Sequence, residues 1–411
     1  MAKVVPFKAV RPMRGLANLV ASRSYEDYSP AELGGQLDFN PYTFLHIINP
    51  GYKFQREIDK TTRFKLVKNR FQEFKEENIL IQDETPCYYI YKQSQGKESF
   101  CGIIAATSTE DYEKGVIRIH EETIASRERL FKDYIKSVGF NSEPVLLTYP
   151  DNITISNIMS ENMKERPEYE FVTHDKYMHH VWIVKNPMDL KTIQQEFDDM
   201  GSVYIADGHH RTASSYLLAD ELKSKNKDHT GNEPYNYFMS YLIPESDLKI
   251  HEFNRLVKDL NGLTKEQFLI KLDTVFKLQN RGLALYRPSK KHHFSMYLDG
   301  EFYSLYLRKT LFKIKDSLTD LDAQLLFQTV LKPILGINDL RKDRRIAYSH
   351  GKNDIIHVKQ KVDDGEYEVA FGMIPATIEQ IKQIADDGLK MPPKSTFIEP
   401  KLRSGLTIYQ F

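Results

Sequence analysis

The sequence feature that most constrains the fold of this chain is a short apolar run, which is followed by an Asp-Gly turn and then by a helix-like pattern. Residues 203–206 are apolar, Asp207 and Gly208 follow, and apolar residues recur at helical spacing over 212–223. This order predicts a buried strand, a tight glycine turn and a helix packed beside the strand. Strand and helix signals alternate along the rest of the chain, so we predict an α+β fold with a mixed sheet.

The other elements predicted from periodicity and turn residues are both strands and helices. Strands are predicted at 43–48, 87–93, 99–106, 116–120, 145–149, 180–185, 238–243, 294–297 and 302–307, and helices at 57–78, 121–138, 152–167, 189–200 and 321–335. We expect Thr319 to cap the last helix, with Asp322 reaching back, and Pro333 to end it. The proline-rich residues 391–402 are predicted to run extended.

The length of 411 residues predicts two or three compact units. We divide the chain into an N-terminal α+β region (1–150), a region with the glycine turn and its helix (151–230), and a C-terminal α+β region with an extended tail (231–411). The polar stretch 223–234 is the best internal linker candidate.

Composition narrows the choice of partners. Lys and Arg total 57, Asp and Glu also total 57, and the net charge is therefore zero. DNA is thus disfavoured as a partner, while a homo-oligomer is left open. Two cysteines, no N-terminal apolar core and no long apolar window predict a cytoplasmic protein with no membrane association.

The turn at 207–211 has the physical features of a phosphate site. A helix that begins at a glycine turn directs several backbone N–H groups and the positive end of its dipole to one point. Arg211 adds a planar fork of donors that suits phosphate oxygens, and Asp207 is suited to a divalent metal that bridges them. The predicted cofactor-binding residues are Gly208, His209, His210, Arg211 and Thr212.

A structural interpretation of the same turn stays open. Asp207 would then cap the helix, Gly208 would serve only the turn, and the two histidines would be ordinary hydrogen-bonding groups. No Walker lysine follows the turn, and the pattern differs from both the phosphate-loop and the dinucleotide fingerprints. Adjacent histidines also lack the spacing of a zinc-binding helix, which disfavours a structural zinc site.

A second group of charged residues begins at position 120. His120, Glu121 and Glu122 stand at a predicted strand-to-helix transition, and Arg127 and Arg129 follow. A carboxylate there can take the proton of a substrate hydroxyl during phosphoryl transfer. The alternative is a solvated charged helix with no role in chemistry.

The tail supplies two further candidates. Lys394 and Lys401 can clamp an anionic substrate if the tail folds back, because lysine is a compact point charge suited to phosphate. The alternative is a docked tail that only ties regions together. The one dense basic run, 341–345, is expected to be a solvated turn or helix end.

The Asp-Gly-His-His-Arg turn resembles the signature loop of the ParB-like superfamily, which includes partition-protein domains, sulfiredoxin and the archaeal free serine kinase. The whole chain is similar to a bacterial and archaeal family known as domain of unknown function number one thousand and fifteen. The blocks that carry this similarity are 5–7, 120–123 with 127–129, 143–145, 207–211 and 391–406. Residues 22–28 stand where that family usually has Pro-Pro-Tyr-Asp.

The resemblance implies a ParB/sulfiredoxin-like core that holds ATP or ADP phosphates, with Mg²⁺, at the loop. It implies a phosphotransferase for free serine or phosphoserine, acting as a kinase or in reverse as a phosphatase, with a catalytic glutamate. We assign Glu121 as that base, with His120, Asp207 and His209 as further catalytic residues in the same cavity, and Arg127, Arg129, Lys394 and Lys401 as substrate ligands.

Two alternatives accompany this prediction. One is a ParB-like regulatory protein that binds or hydrolyses nucleotide without transferring phosphate. The other is a sulfiredoxin-like redox enzyme, which is disfavoured because histidines stand where its cysteine is expected.

Overall fold

The computed structural model has a mixed α+β architecture, and it describes residues 1–54, 58–308, 310, 312–350 and 354–411. Its strands are β1 Val4–Val5, β2 Val10–Pro12, β3 Leu80–Gln82, β4 Tyr88–Gln95, β5 Glu98–Ser108, β6 Ile117–Arg118, β7 Phe140–Asn141, β8 Val145–Tyr149, β9 Tyr169–Val172, β10 Met178–Val184, β11 Val203–Asp207, β12 Tyr237–Pro244, β13 Lys249–His251, β14 Asn254–Val257, β15 Phe276–Gly282, β16 His293–Leu298, β17 Glu301–Leu307, β18 Ile346–Ser349, β19 Val369–Gly372, β20 Phe397–Glu399 and β21 Tyr409–Gln410.

The α-helices connect these strands. They are α1 Ala17–Val20, α2 Pro30–Phe39, α3 Leu45–Ile48, α4 Lys60–Glu76, α5 Thr109–Glu113, α6 Ala125–Val138, α7 Ile153–Asn162, α8 Pro187–Asp199, α9 His209–Lys225, α10 Lys265–Asp273, α11 Asp322–Leu326, α12 Asp354–Asp363 and α13 Ile378–Asp386. Among the described residues, no helix combines the length and the apolar character needed to cross a membrane.

The chain forms two compact units. Unit 1 comprises Met1–Arg118, Thr123–Leu248 and Pro400–Phe411, and unit 2 comprises Ile119–Glu122 and Lys249–Glu399. Regions 1–150 and 151–230 of the sequence both contribute mainly to unit 1, so the division into three regions stays a prediction about sequence segments.

Unit 1 is built on a mixed sheet of nine strands. The strand order is β6-β11-β8-β12-β5-β4-β10-β9, and β1 pairs with β5 beside this path. The pairs β6–β11 and β8–β12 are parallel, whereas β8 and β11 run antiparallel. The start of β8 therefore lies next to the end of β11. Residues 143–144, which precede β8, are thus close to Asp207 at the end of β11.

A cluster of apolar side chains stabilises the N-terminal part of unit 1. The C-terminal segment contributes to it, because Val10 and Ile408 exchange backbone hydrogen bonds. Its buried side chains are Val10, Val20, Phe44, Ile47, Val67, Phe71, Phe74, Ile79, Leu80, Val138, Phe140 and Ile408.

Unit 2 contains an antiparallel sheet of six strands. Its order is β15-β17-β16-β19-β14-β18, and β13 and β20 form a separate pair. Helix α12 packs on this sheet through Val358 and Val362, which contact Leu256, Tyr297 and Phe302 among other side chains. The predicted extended tail is confirmed in part, since 397–399 form a strand.

Several predicted elements differ from the structure in type or in bounds. Residues 43–48 do not form a strand, because Leu45–Ile48 are helical and the hydroxyl of Thr43 accepts the Leu45 N–H. A single helical turn needs no strand partner, and the side chains of Leu45 and Ile47 are buried in the core.

The helix predicted over 121–138 begins only at Ala125, so Glu121 and Glu122 precede it and do not lie in its first turn. The predicted helix 57–78 is α4 Lys60–Glu76, and Glu57 lies outside the described residues.

The helix predicted over 321–335 is shorter than expected. It has an α-helical start at Asp322–Leu326 and a π-helical turn at Phe327–Leu331. Thr319 does not cap it, because its hydroxyl oxygen accepts the backbone N–H groups of Lys315 and Asp316 in the preceding turn. The wider turn comes immediately before Pro333, which has no N–H to continue a helix.

Candidate functional site

The predicted strand–glycine–helix transition is confirmed. Strand β11 ends at Asp207, Gly208 is the N-cap residue, and α9 begins at His209. The register of β11 against β8 shifts between Ile205 and Asp207, as at a β-bulge. Such a shift redirects the side chain at the strand end, which here is the Asp207 carboxylate.

Gly208 is required for this turn for two reasons. Its φ of 103° lies in the left-handed region, where residues with a Cβ are strained. A Cβ at this position would also lie 2.9 Å from Nε and 3.0 Å from Nη2 of Arg211. The absence of a side chain therefore lets the Arg211 guanidinium lie directly over the turn.

Arg211 is held by two carboxylates. Its Nη2 donates to Asp207 Oδ2 at 2.7 Å, and its Nη1 lies 2.9 Å from Glu143 Oε1 and donates to the Pro144 carbonyl at 3.0 Å. Burial by itself would lower the pKa of Arg211, but Glu143 and Asp207 raise it, so the guanidinium stays charged.

Glu143 is the residue of this group that the motif analysis did not assign to the site. Burial raises the pKa of its carboxyl above the ordinary value, and Arg211 opposes this effect. Residues 143–145 were noted only as a block of family resemblance. Glu143 lies just before β8. Because β8 pairs antiparallel with β11, this position brings Glu143 near the end of β11, and only knowledge of that pairing would have identified it.

The C-terminal segment brings Lys401 to the same turn. Lys401 Nζ lies 3.4 Å from Asp207 Oδ1. The segment is fixed in unit 1 by paired backbone bonds between Ser22 and Ser404 and by the Gly405 N–H, which donates to the Ser142 carbonyl at 3.1 Å. Asp207 is therefore shared by two cations, Arg211 from the following helix α9 and Lys401 from the C-terminal segment.

The two histidines of the turn have different environments. The Ile124 N–H donates to His210 Nε2 at 3.0 Å, so that nitrogen is an acceptor and any ring proton lies on Nδ1. Ile124 is the N-cap residue of α6, and His210 thus connects the starts of α6 and α9. His209 and Thr212 are buried, and the Thr212 hydroxyl donates to the Gly208 carbonyl at 3.3 Å.

The second group of candidates lies in unit 2. The His120 carbonyl accepts the Met391 N–H at 2.8 Å, and the Ile119 carbonyl accepts from Lys390 Nζ at 3.0 Å. Arg341 donates to the Glu122 carbonyl and forms an ion pair with its side chain at 3.3 Å. His120 is buried, and the catalytic roles assigned to it and to Glu121 stay predictions.

The remaining substrate-binding candidates are distributed over both units. Arg127 and Arg129 are exposed near the start of α6 in unit 1. Lys394 belongs to unit 2, where its ammonium lies 5.5 Å from the centre of the Phe253 ring. Lys401 is the substrate-binding candidate whose ion pair with Asp207 joins it directly to the turn.

The donor set at the turn fits Mg²⁺ only together with phosphate. In the part of the chain that the structure describes, no group of three or more His, Cys, Asp or Glu side chains is arranged to hold a metal ion. Asp207 offers one carboxylate, which two cations already neutralise. Mg²⁺ is commonly bound by one or two carboxylates with phosphate oxygens and water as the other ligands, and Asp207 fits that role.

Comparison with solved structures gives weak similarities. A free serine kinase mutant in complex with AMP has a TM-score of 0.38 and 12% identity, covering 74% of this chain and 91% of that one. SbnI with a C-terminal truncation from Staphylococcus aureus has a TM-score of 0.38 and 12% identity, covering 74% of this chain and 85% of that one. A conserved hypothetical protein from Pyrococcus furiosus has a TM-score of 0.35 and 12% identity, covering 75% of this chain and 93% of that one.

Similarity at this level does not establish a shared fold or activity, and the ParB/sulfiredoxin-like core stays a prediction. No curated protein matches the chain. The family model described as "Protein of unknown function (DUF1015)" matches residues 4–324, which is most of the 411 residues. The chain therefore belongs to this family.

Proposed function

We propose that the protein is a nucleotide-dependent phosphotransferase that binds the phosphates of ATP or ADP at the turn formed by residues 207–211. The observation that carries this proposal is the convergence of Arg211 and Lys401 on Asp207 at the start of α9. Two cations and a helix start provide the charge and the N–H groups that a phosphate requires.

Nucleotide binding would exchange partners within this cluster. Arg211 and Lys401 would turn from Asp207 to the phosphate oxygens, and Asp207 would hold Mg²⁺, which supplies neutralisation of phosphate charge. Glu143 would keep Arg211 oriented, because it contacts a different guanidinium nitrogen from the one that Asp207 binds. Phosphoryl transfer depends mainly on such positioning and charge neutralisation.

The acceptor that we propose is the hydroxyl of a small metabolite, with free serine as the best candidate. The bond between the terminal phosphorus and the bridging oxygen of the nucleotide breaks, and a new P–O bond forms to the hydroxyl oxygen. The hydroxyl proton passes to a carboxylate, for which Glu121 is proposed, and the leaving nucleotide retains the bridging oxygen. In the reverse sense, the same steps pass the phosphoryl group of phosphoserine back to the nucleotide oxygen, and the serine oxygen regains its proton.

Arg127 and Arg129 are proposed substrate ligands. His210 joins the start of α9 to Ile124, three residues before Arg127, so α6 begins beside the turn. Arg127 and Arg129 are exposed there, and both can attract the carboxylate or phosphate of a substrate. Lys394, His120 and His209 keep their predicted substrate and catalytic roles, and we expect the reaction in the cytoplasm.

The test is a transfer assay followed by ³¹P NMR, with ATP or ADP, serine or phosphoserine, and with or without Mg²⁺. In the presence of Mg²⁺, Arg211→Ala and Asp207→Asn should each weaken nucleotide binding by about tenfold to a hundredfold, since one charge-assisted contact contributes ~1.5–3 kcal/mol. Lys225→Ala is the matched control, because Lys225 pairs with Glu221 at the other end of the same helix. Glu121→Gln should abolish transfer while nucleotide affinity is retained.

The outcomes separate the proposal from its alternative. Nucleotide binding that needs Arg211, without transfer to any acceptor, would favour a regulatory nucleotide-binding protein. If Arg211→Ala and Asp207→Asn both bind nucleotide as the parent protein does, and both have normal stability, the turn has only a structural role.

A further inference from the structure

One face of the six-stranded sheet in unit 2 carries cations and hydroxyl groups that the proposed function does not use. Lys277 of β15 is directly opposite Tyr306 of β17, which is in turn opposite His293 of β16. Because alternate residues of a strand share a face, Gln279 and Ser304 form the next row on the same side. Lys277 and Gln279 are exposed, and Tyr306 is half-buried. This face is therefore accessible to a solute.

Arg281 is held on this face by uncharged groups. Its Nε donates to the Ser304 hydroxyl at 3.0 Å, and its Nη2 donates to the Tyr306 hydroxyl at 2.8 Å. Its guanidinium carbon lies 5.3 Å from the centre of the Tyr286 ring. Nη1 makes no hydrogen bond to a described residue, so it is left to donate to a solute. We define the β15 face as Lys277, Gln279, Arg281, Ser304 and Tyr306.

The carboxylates at the ends of β15 and β17 are paired with other cations. Asp273 pairs with Arg308 at 2.9 Å, and Glu301 pairs with Lys265 at 3.0 Å. Residues 274–298 contain five Lys and Arg residues and no Asp or Glu. In the part of the chain that the structure describes, neither cation of the β15 face has a carboxylate partner. The positive charge of this face is thus not balanced locally.

The position of β15 at the edge of the sheet does not by itself explain this arrangement. A lysine on an edge strand can serve only to prevent pairing with another strand. That role requires neither the fixed guanidinium nor the hydroxyl groups beside it. Hydrogen bonds with Ser304, Tyr286 and Arg281 lower the pKa of the Tyr306 phenol from its ordinary value. The donors of the β15 face therefore already stabilise negative charge on an oxygen atom.

We propose that the β15 face binds a soluble phosphate monoester, with Arg281 and Lys277 as its ligands. A phosphate dianion suits this pair, because the guanidinium offers directed N–H donors and the ammonium is a compact point charge. Arg281 is held by its neighbours before the ligand arrives, so little side-chain freedom is lost on binding. A lipid phosphate has the same chemistry, and the test separates the two sources. This inference does not depend on the phosphotransferase proposal.

The test uses the intact protein with ¹³C-labelled tyrosine rings, because Tyr306 belongs to the β15 face. Tyr306→Phe identifies the resonance of this ring. At pH 8, where a phosphate monoester is a dianion, titration with sn-glycerol 3-phosphate should shift the resonance saturably. Glycerol, and sodium acetate at the same ionic strength, should not shift it.

Two variants test the proposed ligands. Arg281→Gln should weaken binding of sn-glycerol 3-phosphate about tenfold, and Lys277→Gln should weaken it about threefold, because the lysine is more exposed. Lys271→Gln is the control variant, since Lys271 is an exposed lysine of α10 outside the β15 face, and it should bind as the parent protein does. Arg211→Ala should retain the shift of Tyr306, which separates this site from the one proposed at the turn.

The unfolding midpoint of each variant shows whether the fold is intact, and Lys277→Gln decides if Arg281→Gln does not fold. The proposal is overturned if acetate shifts the Tyr306 resonance as sn-glycerol 3-phosphate does, if the folded variants bind unchanged, or if Arg211→Ala abolishes the shift. Phosphatidylcholine vesicles that contain phosphatidic acid provide the lipid arm, and we expect no cosedimentation with them. Cosedimentation without a response to sn-glycerol 3-phosphate would assign the β15 face to a lipid surface and overturn the soluble ligand.

Discussion

Replacement of Gly208 by alanine tests whether the glycine serves only the backbone turn or also makes room for Arg211. At φ 103°, an alanine is expected to cost about 1–2 kcal/mol of unfolding free energy. The new Cβ would lie 2.9–3.2 Å from three atoms of the Arg211 side chain. Displacing this partly exposed guanidinium from its carboxylates should cost roughly 1 kcal/mol more.

Gly231→Ala isolates the backbone part of this effect. Gly231 has a φ of 85°, and a Cβ there would have no atom within 4 Å. We therefore expect Gly208→Ala to lower the unfolding free energy by about 2–3 kcal/mol and Gly231→Ala by about 1–2 kcal/mol, measured by urea denaturation.

A double-mutant cycle then separates strain from steric contact. In an Arg211→Ala background, the contact is gone, and Gly208→Ala should cost no more than Gly231→Ala. The expected coupling of roughly 1 kcal/mol exceeds the usual deviation from additivity for independent sites. An identical cost of Gly208→Ala with and without Arg211 would refute the conclusion that Gly208 makes room for the guanidinium.

Three further predictions follow from the described contacts. Burial raises the pKa of Asp322 from 3.8 to about 6 in the folded protein. The folded state therefore binds the proton more tightly than the unfolded state, and the stability that this proton provides is lost as the pH rises from 4 through 6. Between pH 4 and pH 8, the unfolding free energy of Asp322→Asn should therefore rise by about 3 kcal/mol relative to that of the parent protein. His210→Ala should destabilise the fold by about 0.5–1.5 kcal/mol in urea denaturation, because the Ile124 N–H loses its acceptor at an exposed position where water can partly replace it. Mg²⁺ alone should give no heat in calorimetric titration, whereas Mg²⁺ with ADP should bind, because Asp207 is already neutralised by Arg211 and Lys401; heat from Mg²⁺ alone would contradict this.

The elements that sequence predicted well are those with a local cause. Strand β8 occupies 145–149 as predicted, and β11, Gly208 and α9 follow in the expected order. In these segments, apolar periodicity and a glycine turn agree with the tertiary environment. The prediction was wrong at 43–48, where a short apolar run is equally compatible with one helical turn.

The parts of the site that sequence reasoning missed depend on pairing between distant segments. Glu143 reaches Arg211 because β8 and β11 are antiparallel neighbours, and no local pattern specifies that pairing. Asp322 was interpreted as part of a capping motif, whereas its side chain accepts a hydrogen bond from the backbone of His292. The resemblance rested on residues 143–145 and 207–211 among other blocks, but it did not show that Glu143 and Arg211 contact each other.

The charge balance of the turn decides what it can bind. Asp207, Glu143, Arg211 and Lys401 form a cluster in which each cation has a carboxylate partner. A bare anion would have to compete with Asp207 for both cations, and a bare metal would have to compete with both cations for Asp207. In the proposed function, a phosphate that arrives with Mg²⁺ would satisfy both sides at once, since the phosphate would replace Asp207 as partner of the cations and Asp207 would hold the metal. Because every ion pair that opens would be replaced, this exchange would leave no charge uncompensated, and we therefore expect the turn to bind a metal–nucleotide complex more tightly than either component alone.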